Sequence, residues 1–483
     1  VNFSVSEIKE MGLSFPNIWT PQGSESKPLF GYSAMLARGF QTFGKSTGLL
    51  ASFSLGNSFK NVQKVDNAYR DADVLYEYDV AASRATVLGG LNTNLTTKLS
   101  ERSKIKLDLL YTRSSEDQAR VAEGMNNDRG EILRTTTLTY VERGLLSTVL
   151  QGDHGLGFLN SRLQWNAGYS EASRSEPDRR SSVYQNDDGI LKLGGGSTHP
   201  LIRIYGDSKD YIRSYKADWT IPMRSDEEKP SRVKTGVAYR SKDRGSEYRR
   251  FGFTNRHKPR GTRLDLSLAP EEQVSSDNIE DGVYRVEELT LDNDAYTADQ
   301  NLVATYAMLE FPLGKQISVV AGARFESSEQ VVEATAPNCP VCPREFVTQK
   351  DENILPSLNL TITPHKNMNL RMAYSKTLNR PELRELSPFT IYNFETNWSE
   401  TGNVELETAR ISNYDFRWEL YPHPNEFVAL GLFYKDFQNP IQKFVSANTG
   451  GYALAPLNGN TGYLYGWEGE IRLSLASVWQ ALA

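Results

Sequence analysis

Apolar and polar residues alternate one by one over long segments of the chain. In residues 162–170 every second position is Leu, Trp, Ala or Tyr, and the positions between them are Arg, Gln, Asn, Gly and Ser. The same period of two recurs in residues 317–326, with one exception, and in residues 413–420 and 467–475. A period of two places successive side chains on opposite faces of a β-strand. The pattern therefore predicts strands with one apolar face and one polar face.

Segments of this kind give a count of about fifteen strands, many of them ten or more residues long. Short connections fall near residues 44, 101, 225–231, 314, 364–367 and 422–425, and long polar ones at 61–78, 115–129, 174–200, 246–299, 330–350, 377–408 and 446–460. Short turns at one rim and long loops at the other are the layout of a bacterial outer-membrane β-barrel. Strands of a soluble sandwich are shorter. An odd number of antiparallel strands leaves the sheet open, so we expect its closure to need further strands.

Composition agrees with a membrane barrel and excludes membrane helices. The 483 residues have a mean hydropathy of −0.51, and no apolar run approaches the length that a membrane helix needs. Aromatic residues make up 11% and charged residues 24% of the chain. Such a mixture suits a barrel wall with a lipid face, a polar interior and aromatic rims.

The sequence shows no pattern that predicts an enzyme, a cofactor or a metal site. Its five histidines are scattered without the spacing of metal ligands, and it holds no phosphate-binding loop, nucleophile elbow or His-Glu-x-x-His motif. The net charge of −6, without a run of basic residues, does not favour a nucleic-acid partner. We therefore expect no catalytic residues, no cofactor and no bound metal.

A series of motifs in the last third of the chain carries a family resemblance. Residues 373–384 read AYSKTLNRPELR, residues 402–406 read GNVEL, and residues 409–422 read ARISNYDFRWELYP. In this order they resemble the late barrel strands of TonB-dependent receptors, and residues 433–441 and 460–469 look like the strands that follow in that family. Each motif alone is weak, but their shared order over about a hundred residues is specific.

The resemblance implies an all-β, antiparallel transmembrane barrel of the large outer-membrane transporter type, with about fifteen of about twenty-two strands in this chain. It implies that residues 1–483 are part of the barrel domain, without the N-terminal plug and the final strands. It further implies a bacterial outer-membrane location in contact with lipid, and energy from a TonB-type protein that acts through the plug. The implied function is active uptake of a small-molecule or glycan ligand, of the siderophore, cobalamin, haem or glycan type.

Candidate ligand-binding residues follow from the position of the motifs in a long extracellular loop. They are the charged residues Arg380, Glu382 and Arg384 and the aromatic residues Tyr392, Phe394 and Trp398. The aromatic side chains could stack on a ligand, although loop packing explains them equally well. A structural role is favoured for the charged residues, because Arg and Glu can pair across the rim. A Cys-Pro-Val-Cys sequence also lies in a long loop, and we interpret Cys339 and Cys342 as a local disulfide because no further zinc ligands lie nearby.

Two alternative functions remain open from the sequence. The first is a passive porin-like or assembly barrel, which shares the alternation and the loop layout. The second is a secreted carbohydrate-active β-protein, for which Glu468 and Glu470 would supply paired carboxylates on one strand face about 7 Å apart.

Overall fold

The computed structural model describes residues 4–23, 25–70, 73–127, 129–194, 199–224, 231–291, 294–334, 345–393, 398–423, 426–448 and 451–474. Its helices are α1 (Val5–Ser14), α2 (Pro270–Gln273), α3 (Ser276–Glu280) and α4 (Leu383–Leu386), with a 3₁₀ turn at Phe158–Asn160. None of the described helices is long and apolar enough to cross a membrane.

Strands make up most of the chain. They are β1 (Gly31–Thr42), β2 (Lys45–Arg70), β3 (Asp73–Ser100), β4 (Ser103–Asn126), β5 (Glu131–Gly155), β6 (Arg162–Asp187), β7 (Ile190–Leu193), β8 (Leu201–Arg224), β9 (Ser231–Thr254), β10 (Arg285–Glu288), β11 (Ala295–Leu313), β12 (Ile317–Ala334), β13 (Glu345–His365), β14 (Met368–Asn379), β15 (Thr390–Asn393), β16 (Trp398–Thr401), β17 (Ala409–Leu420), β18 (Phe427–Gln438), β19 (Ile441–Asn448), β20 (Gly451–Asn458) and β21 (Thr461–Arg472).

Seventeen strands form one continuous sheet. Two of them, β7 and β10, have only four residues. The other fifteen have twelve residues or more and pair antiparallel, each with the preceding long strand along the chain. The sequence-based prediction of one antiparallel sheet with about fifteen long strands is confirmed. Within the described residues, β1 pairs only with β2 and β21 only with β18, so the two end strands each leave one edge without a partner.

From β6 onward the connections alternate in length as predicted, but much of what the sequence predicts as loop is strand, including most of residues 61–78, 115–129, 174–200 and 446–460. At the lower end of the sheet, Phe43 and Gly44 both have positive φ, 50° and 70°, and form a two-residue hairpin turn. At the upper end, residues 61–78 and 115–129 were expected as long loops. Instead β2 and β3 stay paired as far as Arg70 and Asp73, and β4 continues to Asn126. Backbone pairing continues there without a regular apolar outer face, because strands that rise above the lipid no longer need one.

The outer face of the sheet carries apolar and aromatic side chains. The strand register aligns Tyr374, Tyr414, Tyr434 and Tyr465 across four neighbouring strands, and ring centroids of the first three are 5.1 and 6.2 Å apart. Trp467, on the same face, is 73% exposed. Exposure of this kind is costly in water, whereas a lipid-facing wall with an aromatic rim requires it.

Apolar clusters of buried residues lie at the upper end of the sheet, on both of its faces. On the outer face, the segment after α1 buries Trp19 against Phe253, with ring centroids 5.5 Å apart. Arg203 of β8 is fully buried beneath this segment, stacks on Trp19, and forms two hydrogen bonds to Asp178. The N-terminal segment therefore covers the outer face of β8 and β9 above the lipid level.

The outward position of Leu430 in β18 can be tested by adding a charge. Leu430 pairs with Trp418 and Gly469 on the outer face. Leu430→Arg should lower the free energy of unfolding in lipid vesicles by about 2–4 kcal/mol, because it places a charge in hydrocarbon. Glu468→Arg, on the inner face of β21, is the control and should have little effect. Urea unfolding of the complete protein measures both, and equal losses would contradict the assignment of the two faces.

A hydrogen-bonded carboxylate holds the N-terminal segment in place. Glu271 accepts hydrogen bonds from the backbone N–H groups of Trp19 and Thr20 at 2.7 and 2.8 Å. Burial acts to raise the pKa of Glu271, but these hydrogen bonds outweigh it and lower the pKa below the ordinary 4.5. A lowered carboxyl pKa stabilises the folded state above the ordinary value, and this contribution is lost as the pH falls through the folded-state pKa.

Glu271→Gln should therefore release the segment at neutral pH. Loss of a charge-assisted hydrogen bond costs about 1.5–3 kcal/mol, which predicts about tenfold or faster hydrogen exchange at the amides of Trp19 and Thr20. The neighbouring exposed Glu272→Gln is the control. The difference between Glu271→Gln and the unmutated protein should disappear at strongly acid pH. Unchanged exchange at pH 7 would show that the carboxylate does not hold the segment.

Candidate functional site

The loop that follows β14 folds back onto the inner face of the sheet. Glu382 caps α4, and its backbone N–H donates to the Glu385 carboxylate at 2.9 Å. This short helix buries Leu383 and Leu386, and Phe389 follows with no exposed surface. The Phe389 ring lies 5.5 Å from the ring of Tyr248 on β9 and 5.6 Å from that of Tyr296 on β11. The loop is thus anchored on the wall by an apolar contact.

A second contact anchors the loop region at a distant part of the same wall. Strands β15, β16, β20 and β19 form a small four-stranded sheet in which β16 and β20 run parallel. Trp398 of β16 and Tyr452 of β20 have ring centroids 5.7 Å apart and pack with Tyr76 and Tyr78 of β3.

The small sheet and α4 together form what we term the loop layer. In the large sheet, β3 and β9 are separated by β4, β5, β6 and β8. The loop layer touches the inner faces of both regions, although only eight residues separate Phe389 from Trp398 in the chain. The large sheet must therefore curve until these faces oppose each other. The loop layer then lies across the upper end of the enclosed space.

Arg380 is held firmly between two carboxylates of the wall. Its Nη1 donates to Glu326 Oε2 at 2.8 Å and its Nε to Asp351 Oδ2 at 3.0 Å. All three side chains are nearly buried, with exposed fractions of 13%, 11% and 9%. A guanidinium paired in this way fixes the base of the loop, although its buried Nη2 has no hydrogen-bond partner among the described residues.

The other charged candidates differ from Arg380. Arg384 donates to the backbone oxygen of Glu400 at 3.2 Å and lies over the Phe389 ring. Burial is the main factor that lowers the pKa of Arg384, and nearby Arg244 lowers it further, while Tyr296 and Glu400 act in the opposite direction. The carboxylate of Glu382 is 72% exposed and lies 3.9 Å from Lys242 Nζ.

The aromatic and cysteine predictions are only partly within the described residues. Trp398 is described and packs on Tyr452. The backbone of Tyr392 lies in β15, and its side chain is outside the described part. Phe394, Cys339 and Cys342 also lie outside the described residues. The proposed ligand contacts and the disulfide stay predictions.

The inner face of β9 holds a row of basic residues that the sequence analysis missed. From Lys234 to Arg250, five of the inward positions are basic and none is acidic; they are Lys234, Arg240, Lys242, Arg244 and Arg250. The sequence predicts a strand only as far as residue 239, because residues 246–299 have the composition of a long polar loop. Continuing the period of two through residues 240–250 would have placed these cations on one face.

Acidic candidates and metal ligands show no catalytic arrangement. Glu468 and Glu470 both face inward on β21, and Glu470 pairs with Arg417 at 3.3 Å and Arg472 at 3.7 Å. Among the described residues, no group of three or more His, Cys, Asp and Glu side chains is placed to hold a metal ion.

The sequence profile of the family described as TonB dependent receptor-like, beta-barrel matches residues 26–483. Three similar solved structures are the Pseudomonas aeruginosa siderophore receptor PirA, the Serratia marcescens hemophore receptor HasR in complex with its hemophore HasA and heme, and the Pseudomonas aeruginosa ferric enterobactin receptor PfeA in complex with BCV-L6. Each is 11% identical to this chain. No curated protein sequence matches.

The alignments cover most of this chain but a smaller share of those receptors. TM-scores are 0.47 for PirA, 0.50 for HasR and 0.51 for PfeA, and the alignments cover 92%, 98% and 92% of this chain. The corresponding shares of the three receptors are 63%, 63% and 60%, so this chain spans less than two thirds of their length. At this identity the likeness concerns the fold alone.

Arg380 should prove structural when it is removed. Arg380→Gln leaves the carboxylates of Glu326 and Asp351 without their cation, and breaking a buried pair costs about 3 kcal/mol. We expect faster hydrogen exchange in residues 383–389 and a lower unfolding midpoint. Lys350→Gln is the control, because its ion pair with Glu329 is exposed and contributes at most about 1 kcal/mol. Normal exchange in Arg380→Gln would mean that the apolar contacts alone hold the loop.

Proposed function

We propose that the chain forms the wall of a receptor for active uptake of a scarce ligand. The chain belongs to the TonB-dependent receptor-like β-barrel family. The predicted fold class and the bacterial outer-membrane location are confirmed by that membership. Members of the family are transport receptors and not enzymes. The ligand, the TonB partner and the activity of the complete protein are parts of the proposal.

The loop layer is the observation that carries this proposal. A passive pore needs an open path, whereas here α4 and the small sheet are anchored on opposite inner faces at the extracellular end. The anchoring residues Phe389 and Leu386 are fully buried, so the cover is part of the folded structure. A ligand that enters must first meet these loops. Recognition followed by energised opening fits this arrangement better than free diffusion does.

The two free strand edges support a larger complete barrel. In hydrocarbon every backbone N–H and C=O group needs a partner within the protein, and an unpaired edge would cost several kcal/mol for each group. Strands β1 and β21 both carry lipid-facing residues, and each has one edge without a partner among the described residues. We therefore propose that additional strands close the barrel, and that a plug within it receives the TonB-type protein, as the sequence motifs imply.

Uptake measurements can separate active transport from passive flow. The complete receptor is expressed in a strain without related receptors, with and without its TonB gene. Accumulation of a ferric siderophore, haem, cyanocobalamin or an oligosaccharide is then measured. We expect one of these probes to accumulate only when TonB is present and the membrane is energised. The receptor that carries Arg249→Gln, a substitution on the outer face of β9, should transport normally and serves as the control.

Accumulation without TonB at the same rate would contradict active transport and favour a porin-like pore. Absence of uptake for all four probes, in a strain where the folded receptor reaches the outer membrane, would contradict the proposed ligand classes.

A further inference from the structure

The inner wall beneath the loop layer has more positive charge than its neighbours can neutralise. The basic patch consists of Arg240, Lys242 and Arg244 of β9 and Arg384 of α4. Lys242 and Arg244 share one carboxylate, that of Asp210, at 4.0 and 3.4 Å. No other carboxylate in the described residues lies within 4.0 Å of this patch, apart from the exposed Glu382.

The remaining two cations of the patch have only neutral partners. Arg240 donates to the side-chain oxygen of Gln300 at 3.4 Å, and Arg384 donates to a backbone oxygen. The strand register explains the lack of acids, since the inward positions of β11 opposite Arg240, Lys242 and Arg244 are Leu302, Gln300 and Ala298. Among the described residues, the patch is therefore left with uncompensated positive charge.

Other basic residues of the same wall are neutralised. Lys234 and Lys216 lie 3.4 and 3.1 Å from Asp218, below the patch, and Arg250 pairs with Asp294 above it. Arg380 has two carboxylates of its own. The excess is thus confined to one level of the wall and is not a general property of the interior.

Buried polar atoms at the patch also lack a hydrogen-bond partner among the described residues; they are Nε of Arg244 and Oδ1 of Asp210. Tyr296 lies close to the guanidinium groups of both Arg244 and Arg384. A buried donor without an acceptor costs about 1–3 kcal/mol, so an acceptor supplied from outside would stabilise the site.

We propose that the basic patch binds the oxyanion groups of a multiply charged anionic ligand. Guanidinium groups hold carboxylate and phosphate oxygens in paired hydrogen bonds, and a lysine ammonium adds a point charge. The assignment rests on the proposed uptake function and narrows its ligand to an anion. It places the first contact inside the barrel, directly below the loop layer, with Glu382 beside Lys242 at the mouth of the site.

Titration of the complete receptor in detergent tests the assignment, with citrate as the carboxylate probe and pyrophosphate as the phosphate probe. We expect binding that weakens as salt rises from about 50 mM to about 500 mM. The double variant Arg240→Gln, Arg244→Gln should bind at least about tenfold more weakly. The control Arg249→Gln neutralises an arginine of the same strand on the outer face, where it pairs with Glu288 at 3.1 Å, and should bind normally.

If the double variant is unstable, the charge-conserving variant Arg244→Lys tests the role of the positive charge in binding. It should retain salt-dependent binding within about threefold, because the charge remains although the paired hydrogen bonds are lost. Stronger binding of citrate would identify carboxylates as the recognised groups, and stronger binding of pyrophosphate would identify phosphates.

Equal affinity of the unmutated receptor and the double variant, or absence of binding to both probes at low salt, would overturn the assignment. TonB-dependent uptake of cyanocobalamin or of an oligosaccharide, together with that result, would leave the proposed function intact and remove only the anionic ligand. TonB-independent uptake would instead contradict the proposed function, whatever the titration shows.

Discussion

The need to pair every backbone N–H and C=O group inside a membrane determines the rest of this structure. A single ladder of antiparallel hydrogen bonds runs through fifteen long strands, and the lower turns are as short as two residues. Such turns keep neighbouring strands in strict register, so each side chain has a fixed face. The two edges of the ladder, at β1 and β21, are the points where this requirement is not met within the described residues.

Because backbone hydrogen bonds hold the wall together, the side chains of its two faces can differ in polarity. The outer face presents tyrosines in a row across β14, β17, β18 and β21, and aromatic rows of this kind are typical of the lipid-facing wall of outer-membrane barrels. The inner face carries charged residues and, at its upper end, the apolar anchor points of the loop layer. Tyr248 and Tyr296 lie on this inner face, and both pack on Phe389 of the loop layer.

The sequence allowed the wall to be predicted because lipid on one side and water on the other impose a period of two. Above the lipid the outer face no longer needs to be uniformly apolar, the period weakens, and the sequence predicts a loop at residues 61–78 although pairing continues. For the same reason the sequence pattern does not indicate that Lys242 and Arg244 lie on a strand. The anchoring of Arg380 depends on Glu326, 54 residues away, and no local pattern indicates which distant carboxylate a loop arginine will meet. The sequence motif therefore predicts where the loop lies, whereas the roles of its residues depend on tertiary contacts that only the structure shows.

Arg380 and Arg244 illustrate why charge balance distinguishes structure from binding in this wall. Both face the interior at the upper end, and both are partly buried. Arg380 has two carboxylates at hydrogen-bond distance, which is what a residue needs when its purpose is to fix a loop. Arg244 shares one carboxylate with Lys242, so these two cations face a single negative charge. Unbalanced charge lowers the stability of a wall, since like charges repel and buried donors lack acceptors. An acid at residue 300 or 302 would balance this charge, but the register gives Gln and Leu at these two positions.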